Sequence, residues 1–217
     1  MKNLLSVILL VFLILLSGCN ANGEDNESID LNKVDTIYIH NGSVNVHLTI
    51  TEDTNLEVYH GNYKLDVKQD ISEIILNVKK SWYQFGPRVN LNKKFKIAIP
   101  KDFSGKVILE GGSSNITSDK LQATDLDIKT RSGDVTIEYD NFQSNLEVNT
   151  VSGNVDISLN NDSPNINLKV NTVSGNQMVA IPLDKINVQK EKRIEGTARD
   201  EIDNVHVETT SGNISIK

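Results

Sequence analysis

From Val34 onward, apolar and polar residues alternate in runs of four to eight, and the runs are broken by Asn, Gly and Ser. Val34 to Leu48 reads VDTIYIHNGSVNVHL, with Ile37 and Ile39 before a turn and Val44, Val46 and Leu48 after it. Leu56 to Val67 repeats that design as LEVYHGNYKLDV. Period-2 runs joined by tight polar turns predict β-strands. No stretch offers a convincing amphipathic helix, although Gln189 to Asp203 could hold a short one.

The alternation becomes a repeat in the second half. TRSGD at 130–134, TVSGN at 150–154 and 172–176, and TSGN at 210–213 each sit between apolar runs, as in LDIKTRSGDVTIEY. Leu126, Ile128, Thr130 and Ser132 share one face of a strand, and Val135 and Ile137 share one face of the next. Parity flips across Ser-Gly-Asp, as a chain must do when it bends and keeps its apolar side inward. Gly133, Gly153, Gly175 and Gly212 supply a permissive backbone at the bend. Ser132, Ser152, Ser174 and Ser211 precede them, and the Asp or Asn that follows can bond the equivalent residue one coil away.

Self-similarity near twenty residues is the mark of a stacked repeat. Ser113-Ser114-Asn115 reads as a degenerate copy of the phrase. The insertion Asn160-Asn161-Asp162-Ser163-Pro164 accounts for one longer gap, and the wide gap between Ser174 and Ser211 suggests a decayed coil turning near Gly196. The prediction is an all-β, right-handed parallel β-solenoid of about nine coils over residues 34–217. At a strand spacing of about 4.8 Å, it would be a rod on the order of 40 Å long.

The N-terminus carries a different signal. Lys2 precedes the apolar run Leu4 to Leu16, and Ser17, Gly18 and Cys19 follow. That run is too short for a spanning helix, which needs about 20 residues, and it has the layout of an export leader. Leu16-Ser17-Gly18-Cys19 resembles a bacterial lipobox, which implies cleavage between Gly18 and Cys19 and a diacylglycerol thioether on Cys19. Two acyl chains suffice for stable anchoring. Cys19 is the single cysteine, so no disulfide framework is possible. Residues 19–33 are polar, acidic and without periodicity, and are expected to be a flexible lipidated tether. The leader, with richness in Asn, Lys and Ile, suggests a low-GC Gram-positive host and an extracytoplasmic membrane-anchored protein.

The L-x-[IV]-x-T-x-S-G-[DN]-[VI]-x-[IV] repeats, with Ile97-Ala98-Ile99-Pro100 ahead of them, resemble a bacterial adhesin-type β-strand-repeat family, a group of domains of unknown function. The resemblance runs from about Val34 to Lys217 and implies the parallel β-solenoid. It implies no catalytic residues. Ser114 in place of glycine, Gln177 in an apolar position and the stretch Pro182 to Asn204 depart from the pattern.

Charge narrows the function. The whole chain carries 22 Lys and Arg against 29 Asp and Glu, net −7. Loss of residues 1–18 removes only Lys2, giving −8. An acidic chain lacks the basic face that nucleic acid binding needs. One segment runs against the trend. Residues 79–96 hold Lys79, Lys80, Arg88, Lys93, Lys94 and Lys96 with no acid, and carry Trp82, Tyr83 and Phe85 among them. Interleaved aromatics and cations suit sugar rings, anionic lipid headgroups or wall polyanions, and they equally suit an aromatic end cap with solvated lysines.

Other candidates are weaker. His40, His47, His60 and His206 show no metal-ligand spacing. Neutral Asn in three of the four clear turn copies argues against calcium. Repeated Ser-Gly without a partnered His and acid is a turn device rather than a nucleophile. No cofactor is expected. Asp127, Glu147, Lys169 and His206 fall at equivalent outward positions and change chemical type from coil to coil, which suits a solvated ladder. The expectation is a non-catalytic, envelope-associated binding or adhesion module meeting a cell-wall polymer, anionic lipid or another envelope protein. The alternatives are a polysaccharide-acting enzyme on a β-helix scaffold and a component of envelope-stress sensing. Convergence of two or three ionisable side chains within about 3 to 6 Å in a groove, with perturbed pKa values, would favour the enzyme over the binder.

Overall fold

The computed structural model describes residues 26–61, 63–80, 95–122, 124–200 and 202–217. Among these residues there is no helix. The strands in chain order are β1 (Asn26–Ile29), β2 (Thr36–Gly42), β3 (Val46–Thr51), β4 (Leu56–Tyr59), β5 (Lys64–Gln69), β6 (Glu73–Lys79), β7 (Phe95–Pro100), β8 (Lys106–Ser113), β9 (Ile116–Ser118) and β10 (Asp125–Ser132). They continue with β11 (Val135–Glu138), β12 (Leu146–Ser152), β13 (Val155–Ser158), β14 (Ile166–Ser174), β15 (Gln177–Val179), β16 (Lys185–Lys190), β17 (Arg193–Thr197), β18 (Asp203–Ser211) and β19 (Ile214–Ile216).

These strands form two large sheets with one apolar core. The ten-stranded sheet runs β16-β17-β14-β18-β12-β10-β8-β2-β6-β5, and the nine-stranded sheet runs β1-β4-β7-β3-β9-β11-β13-β19-β15. Inward residues of both, such as Ile37, Leu109, Ile128, Val148 and Val207 from the first and Leu48, Ile97, Ile137 and Ile157 from the second, are fully or almost fully buried. Period-2 alternation therefore faces a shared core on one side and solvent on the other.

The alternation read from the sequence is present, but the stacking order differs from chain order. Seven two-strand units, each turning a corner from one sheet to the other, stack in parallel among the described residues: β6–β7, β2–β3, β8–β9, β10–β11, β12–β13, β18–β19 and β14–β15. The expected nine consecutive coils are thus replaced by seven units, and the last in sequence lies inside the stack, with β18 paired to both β12 and β14. Near-identical corners fit any neighbour, so sequence similarity cannot encode their order.

Antiparallel strands close three of the four sheet ends, and the fourth is β15, which pairs in parallel with β19. Leu56 to Val67, read as a further coil, forms β4 and β5, which run antiparallel to β7 and β6. Gly196 does not turn a decayed coil. It belongs to the hairpin β16–β17, with β17 antiparallel to β14, and this hairpin replaces the short helix considered for Gln189 to Asp203. Gln177 faces this end: its Nε2 donates to the Glu191 carbonyl at 3.1 Å, while Lys192 Nζ donates to the Gly175 carbonyl at 2.6 Å. An amide replaces an apolar residue there because its neighbour is a hairpin backbone rather than another coil.

The tether is shorter than expected. Asn26–Ile29, placed in it by composition, pair antiparallel with β4. Asn26 Nδ2 donates to Glu57 Oε2 at 3.3 Å and Asn55 Nδ2 to Ser28 Oγ at 3.1 Å. Polar side chains along an edge strand satisfy solvent on one side while the backbone joins the sheet.

The corners explain the Ser-Gly-Asn phrase. Ser113, Ser132, Ser152, Ser211 and Ser174 lie in register across five neighbouring strands. Gly153 has φ +153°, and a β-carbon on it would stand 2.0 Å from the Gly133 carbonyl oxygen; Gly133, Gly212 and Gly175 meet the preceding corner in the same way. The following Asx residues form a ladder. Each side-chain oxygen accepts the backbone N–H of the next rung, from Asn45 to Asn115, Asp134, Asn154, Asn213 and Asn176, at 2.8 to 3.0 Å.

Candidate functional site

The outward face of the ten-stranded sheet carries the densest ionisable chemistry among the described residues. Register places Asp127 of β10, Glu147 of β12, His206 of β18 and Lys169 of β14 side by side in one row across four strands. Because alternate residues of a strand share a face, the parallel rows on either side contribute Lys106, Asp125 and Asn167, and Lys129, Asn149 and Glu208. A groove of about 390 Å³ runs here, lined among others by Lys106, Asp125, Asp127, Glu147, Lys169 and His206.

Two ion-paired triads organise the face. Asp127, only 4% exposed, holds Lys106 Nζ at 3.3 Å and Lys129 Nζ at 3.2 Å on Oδ2. Its Oδ1 is buried without a partner among the described residues. On the other side, Glu208 Oε1 meets His206 Nε2 at 2.9 Å and Lys169 Nζ at 3.4 Å. The hydrogen bond and charge of Asp127 raise the Lys129 pKa above the usual lysine value. The His206 ring, 2.9 Å away, holds Glu208 below the usual carboxylate value, against the opposing effect of burial.

Between the triads lie carboxylates held by amides. Asn149 Nδ2 donates to Glu147 Oε1 at 2.9 Å. Asp125 Oδ1 accepts the Asn145 backbone N–H at 2.8 Å and its Nδ2 at 3.2 Å, and Asn145 Oδ1 in turn accepts from the backbone N–H of Asn204 at 3.0 Å. This second Asx ladder edges the groove. Asp203, nearby, has its pKa raised by burial and then by the charge of Asp125.

The sequence-predicted residues separate into three groups. Asp127, Glu147, Lys169 and His206 come together as one row. The corner residues Ser132, Gly133, Ser152, Gly153, Ser174, Gly175, Ser211 and Gly212 lie at the bend between the sheets and serve the backbone. Lys79 ends β6 and Lys80 follows it, both exposed, whereas Trp82, Tyr83, Phe85, Arg88, Lys93 and Lys94, like Gly18 and Cys19, lie outside the described residues. Sequence reasoning missed Lys106, Asp125, Lys129 and Glu208. A signal was available for three of them: Asp125 and Lys129 stand two positions from Asp127, and Glu208 two from His206, on the same strand faces, whereas Lys106 comes from the neighbouring β8.

The histidines also find partners that spacing did not suggest. His40, His47, His60 and His206 each stand beside a carboxylate, at 3.4 Å from Glu110, 3.0 Å from Asp119, 3.7 Å from Glu27 and 2.9 Å from Glu208. His47 and His60, expected as exposed turn residues, are mostly buried, with side chains 17% and 14% exposed. No group of three or more His, Cys, Asp or Glu among the described residues could hold a metal ion.

The fold has a solved counterpart. A candidate cell adhesion protein from Clostridium sporogenes ATCC 15579 aligns with a TM-score of 0.58 at 15% identity, covering 90% of this chain and 98% of that one. A candidate adhesin from Bacteroides fragilis NCTC 9343 aligns at 12% identity with a TM-score of 0.29, covering 91% and 98%. No curated protein sequence matches the chain. The sequence profile of the Toastrack DUF4097 family matches residues 32–217, and the chain belongs to that family.

Proposed function

We propose that this protein is a non-catalytic binding module of the cell envelope, anchored through a lipid on Cys19, whose ten-stranded sheet meets a polyhydroxylated wall glycan along the groove. The observation that carries the reading is the geometry of the groove: Lys106 is held on Asp127, Lys169 on Glu208, and Asp125 and Glu147 on Asn amides, so its walls are fixed charges and amides. Lys129 is raised and Glu208 is lowered, so both are held in their charged forms. A general acid or base needs the opposite, a group moved toward the working pH. Fixed charges and amides instead suit recognition.

Asp125 and Glu147 add to this. Each is held by an Asn amide, and planar carboxylates and amides can accept from and donate to neighbouring hydroxyls. Ion-paired lysines on both sides fix the walls. The reading agrees with the name of the Clostridium sporogenes fold neighbour.

Cosedimentation of the chain with purified cell-wall glycan tests it. The wild type is expected to pellet with the glycan, and the double variant Asp125→Asn, Glu147→Gln to lose about tenfold or more in affinity, from about 1 kcal/mol per lost charged hydrogen bond. Equal pelleting of both proteins excludes the groove. Release of soluble fragments from the glycan would replace binding with hydrolysis.

A further inference from the structure

The end of the stack that carries β1 gathers unpaired positive charge where the chain enters the domain. Asn26 is in register with Tyr59, and Tyr59 with Lys96 at the start of β7. Lys96 Nζ lies 5.6 Å from the Tyr59 ring centroid. On the neighbouring sheet, Lys64 of β5 stands directly opposite Lys79 of β6, and Lys80 follows. All three are exposed. β5 to β7 and the β1–β4 pair form the same end of the two sheets, and the C-terminal end of β6 and the start of β7 are the corner side of that end. The N-terminal chain therefore enters beside a cluster of lysines.

Like charges directly opposite on paired strands are destabilising, yet Lys64 and Lys79 face each other, as Lys190 and Arg193 do at the far end. Lys64, Lys79, Lys80 and Lys96 form no ion pair among the described residues, and neither do Lys185 and Lys190, so what singles out the β1 end is its place beside the entry of the chain at Asn26. Carboxylates on the flanking β1–β4 pair are engaged: Glu27 faces His60 and Glu57 accepts from Asn26. Asp66 is the nearest acid along β5, opposite Asn77. The connection 81–94 leaves from Lys80 and returns at Phe95, and the surface does not depend on it.

Chain length fixes what this end can face. Seven residue steps separate Cys19 from Asn26, a reach of at most about 25 Å. We infer that the β1 end of the stack rests on the membrane, with Lys64, Lys79 and Lys80 against anionic lipid headgroups and the β14–β17 end directed away from it. The inference rests on the lipid anchor at Cys19 proposed above. Anchoring places the end within reach of the surface, and the lysines turn it to face the leaflet, since juxtamembrane cations are attracted by anionic headgroups within a Debye length. A single thioether lipid leaves the orientation of its cargo open. The short reach from Cys19 to Asn26 selects the β1 end, and the lysines there turn it to the leaflet.

The test uses the lipid-modified full chain in vesicles of phosphatidylcholine, alone or with about a third phosphatidylglycerol. A membrane-impermeant amine reagent is applied, and labelling rates at each lysine are read by peptide mass spectrometry. Lys64, Lys79 and Lys80 are expected to label about fivefold or more slowly on the anionic vesicles, with Lys185 and Lys190 at the far end unchanged. Lys79→Glu removes the like-charge pair, so the fold is retained, and it should speed labelling of Lys64 and Lys80 on anionic vesicles. A chain that floats with both vesicles and labels equally on them overturns this inference and leaves the anchor standing. A chain that floats with neither removes the anchor, and the inference falls with it. Equal slowing by soluble poly(glycerol phosphate) over neutral vesicles assigns the surface to a wall polyanion and overturns the lipid reading.

Discussion

The middle of the stack and its two ends are made on different principles. In the middle, units from β8–β9 to β14–β15 share one corner, one register and one Asx ladder, and each rests on its neighbours through backbone contact. At the ends, β4, β5 and the β16–β17 hairpin run antiparallel and close both sheets at one end and the ten-stranded sheet at the other with unrelated sequence, while Lys192 and Gln177 tie the hairpin to the edge strand β15. The difference teaches where information lies. Repetition specifies the contact surface of a unit, while the irregular strands specify where stacking stops. An open parallel edge would otherwise template another chain.

The largest break in this contrast comes from the corners. Gly153→Ala is expected to destabilise the domain by about 3 kcal/mol or more, because its β-carbon has no space and its φ is unfavourable. Gly42→Ala also has a positive φ, +56°, in the left-handed region, but meets nothing within 4 Å, so it should cost about 1 kcal/mol. Urea denaturation midpoints of the two variants compare them directly. Similar losses would show that backbone strain, and not interlocking, governs the corners.

An end should respond locally where the middle responds globally. Lys192→Ala removes the hydrogen bond to the Gly175 carbonyl, a loss of about 1 kcal/mol. Amide exchange should quicken at Gln177–Val179 and stay unchanged at Val135–Glu138. Acceleration in both segments would mean that the cap and the middle unfold as one unit.

The smallest effect sharpens the electrostatics of the central face. Glu208 has a lowered pKa, so its charge contributes stability above the ordinary carboxylate value, and the contribution is lost as pH falls through the lowered one. Asp203 has a raised pKa, so its charge costs stability at neutral pH, and the cost disappears as pH falls through the raised value and below it. At pH 7, Glu208→Gln should therefore destabilise and Asp203→Asn stabilise, each by under about 1 kcal/mol. Both differences should shrink toward zero in acid. Thermal melts across pH 3 to 8 would show the opposite signs, and equal signs would contradict the assignment of these groups.

The sequence made the strands, the corners and the inward faces legible because those follow from short-range rules: period 2, a glycine where no β-carbon fits, and Asx rungs. It was silent on order. Ser174 and Ser211 are spaced as though one decayed coil lay between them, yet the intervening residues include the hairpin that seals β14, and Ser211 lies between Ser152 and Ser174. Which edge a unit joins depends on contacts distant in sequence. The same limit applied to the groove. Asp127, Glu147, Lys169 and His206 could be aligned from the repeat, but the contacts of Lys106 with Asp127 and of Lys169 with Glu208 depend on which strands become neighbours. Asp127 with Lys129 and His206 with Glu208, each two residues apart on one strand, were the pairs that local reading could have found.

The placement of β18–β19 governs how the domain can be assembled. β12 and β14 do not pair with each other; each pairs with β18. As the chain is made from its N-terminus, residues 146–152 and 166–174 therefore wait with open edges until residues 203–216 arrive between them. Pairing across such long sequence separations is slow, and waiting strand edges are prone to capture other chains. The last segment made is a keystone: until it is seated, the two halves of the repeat have nothing to hold them together.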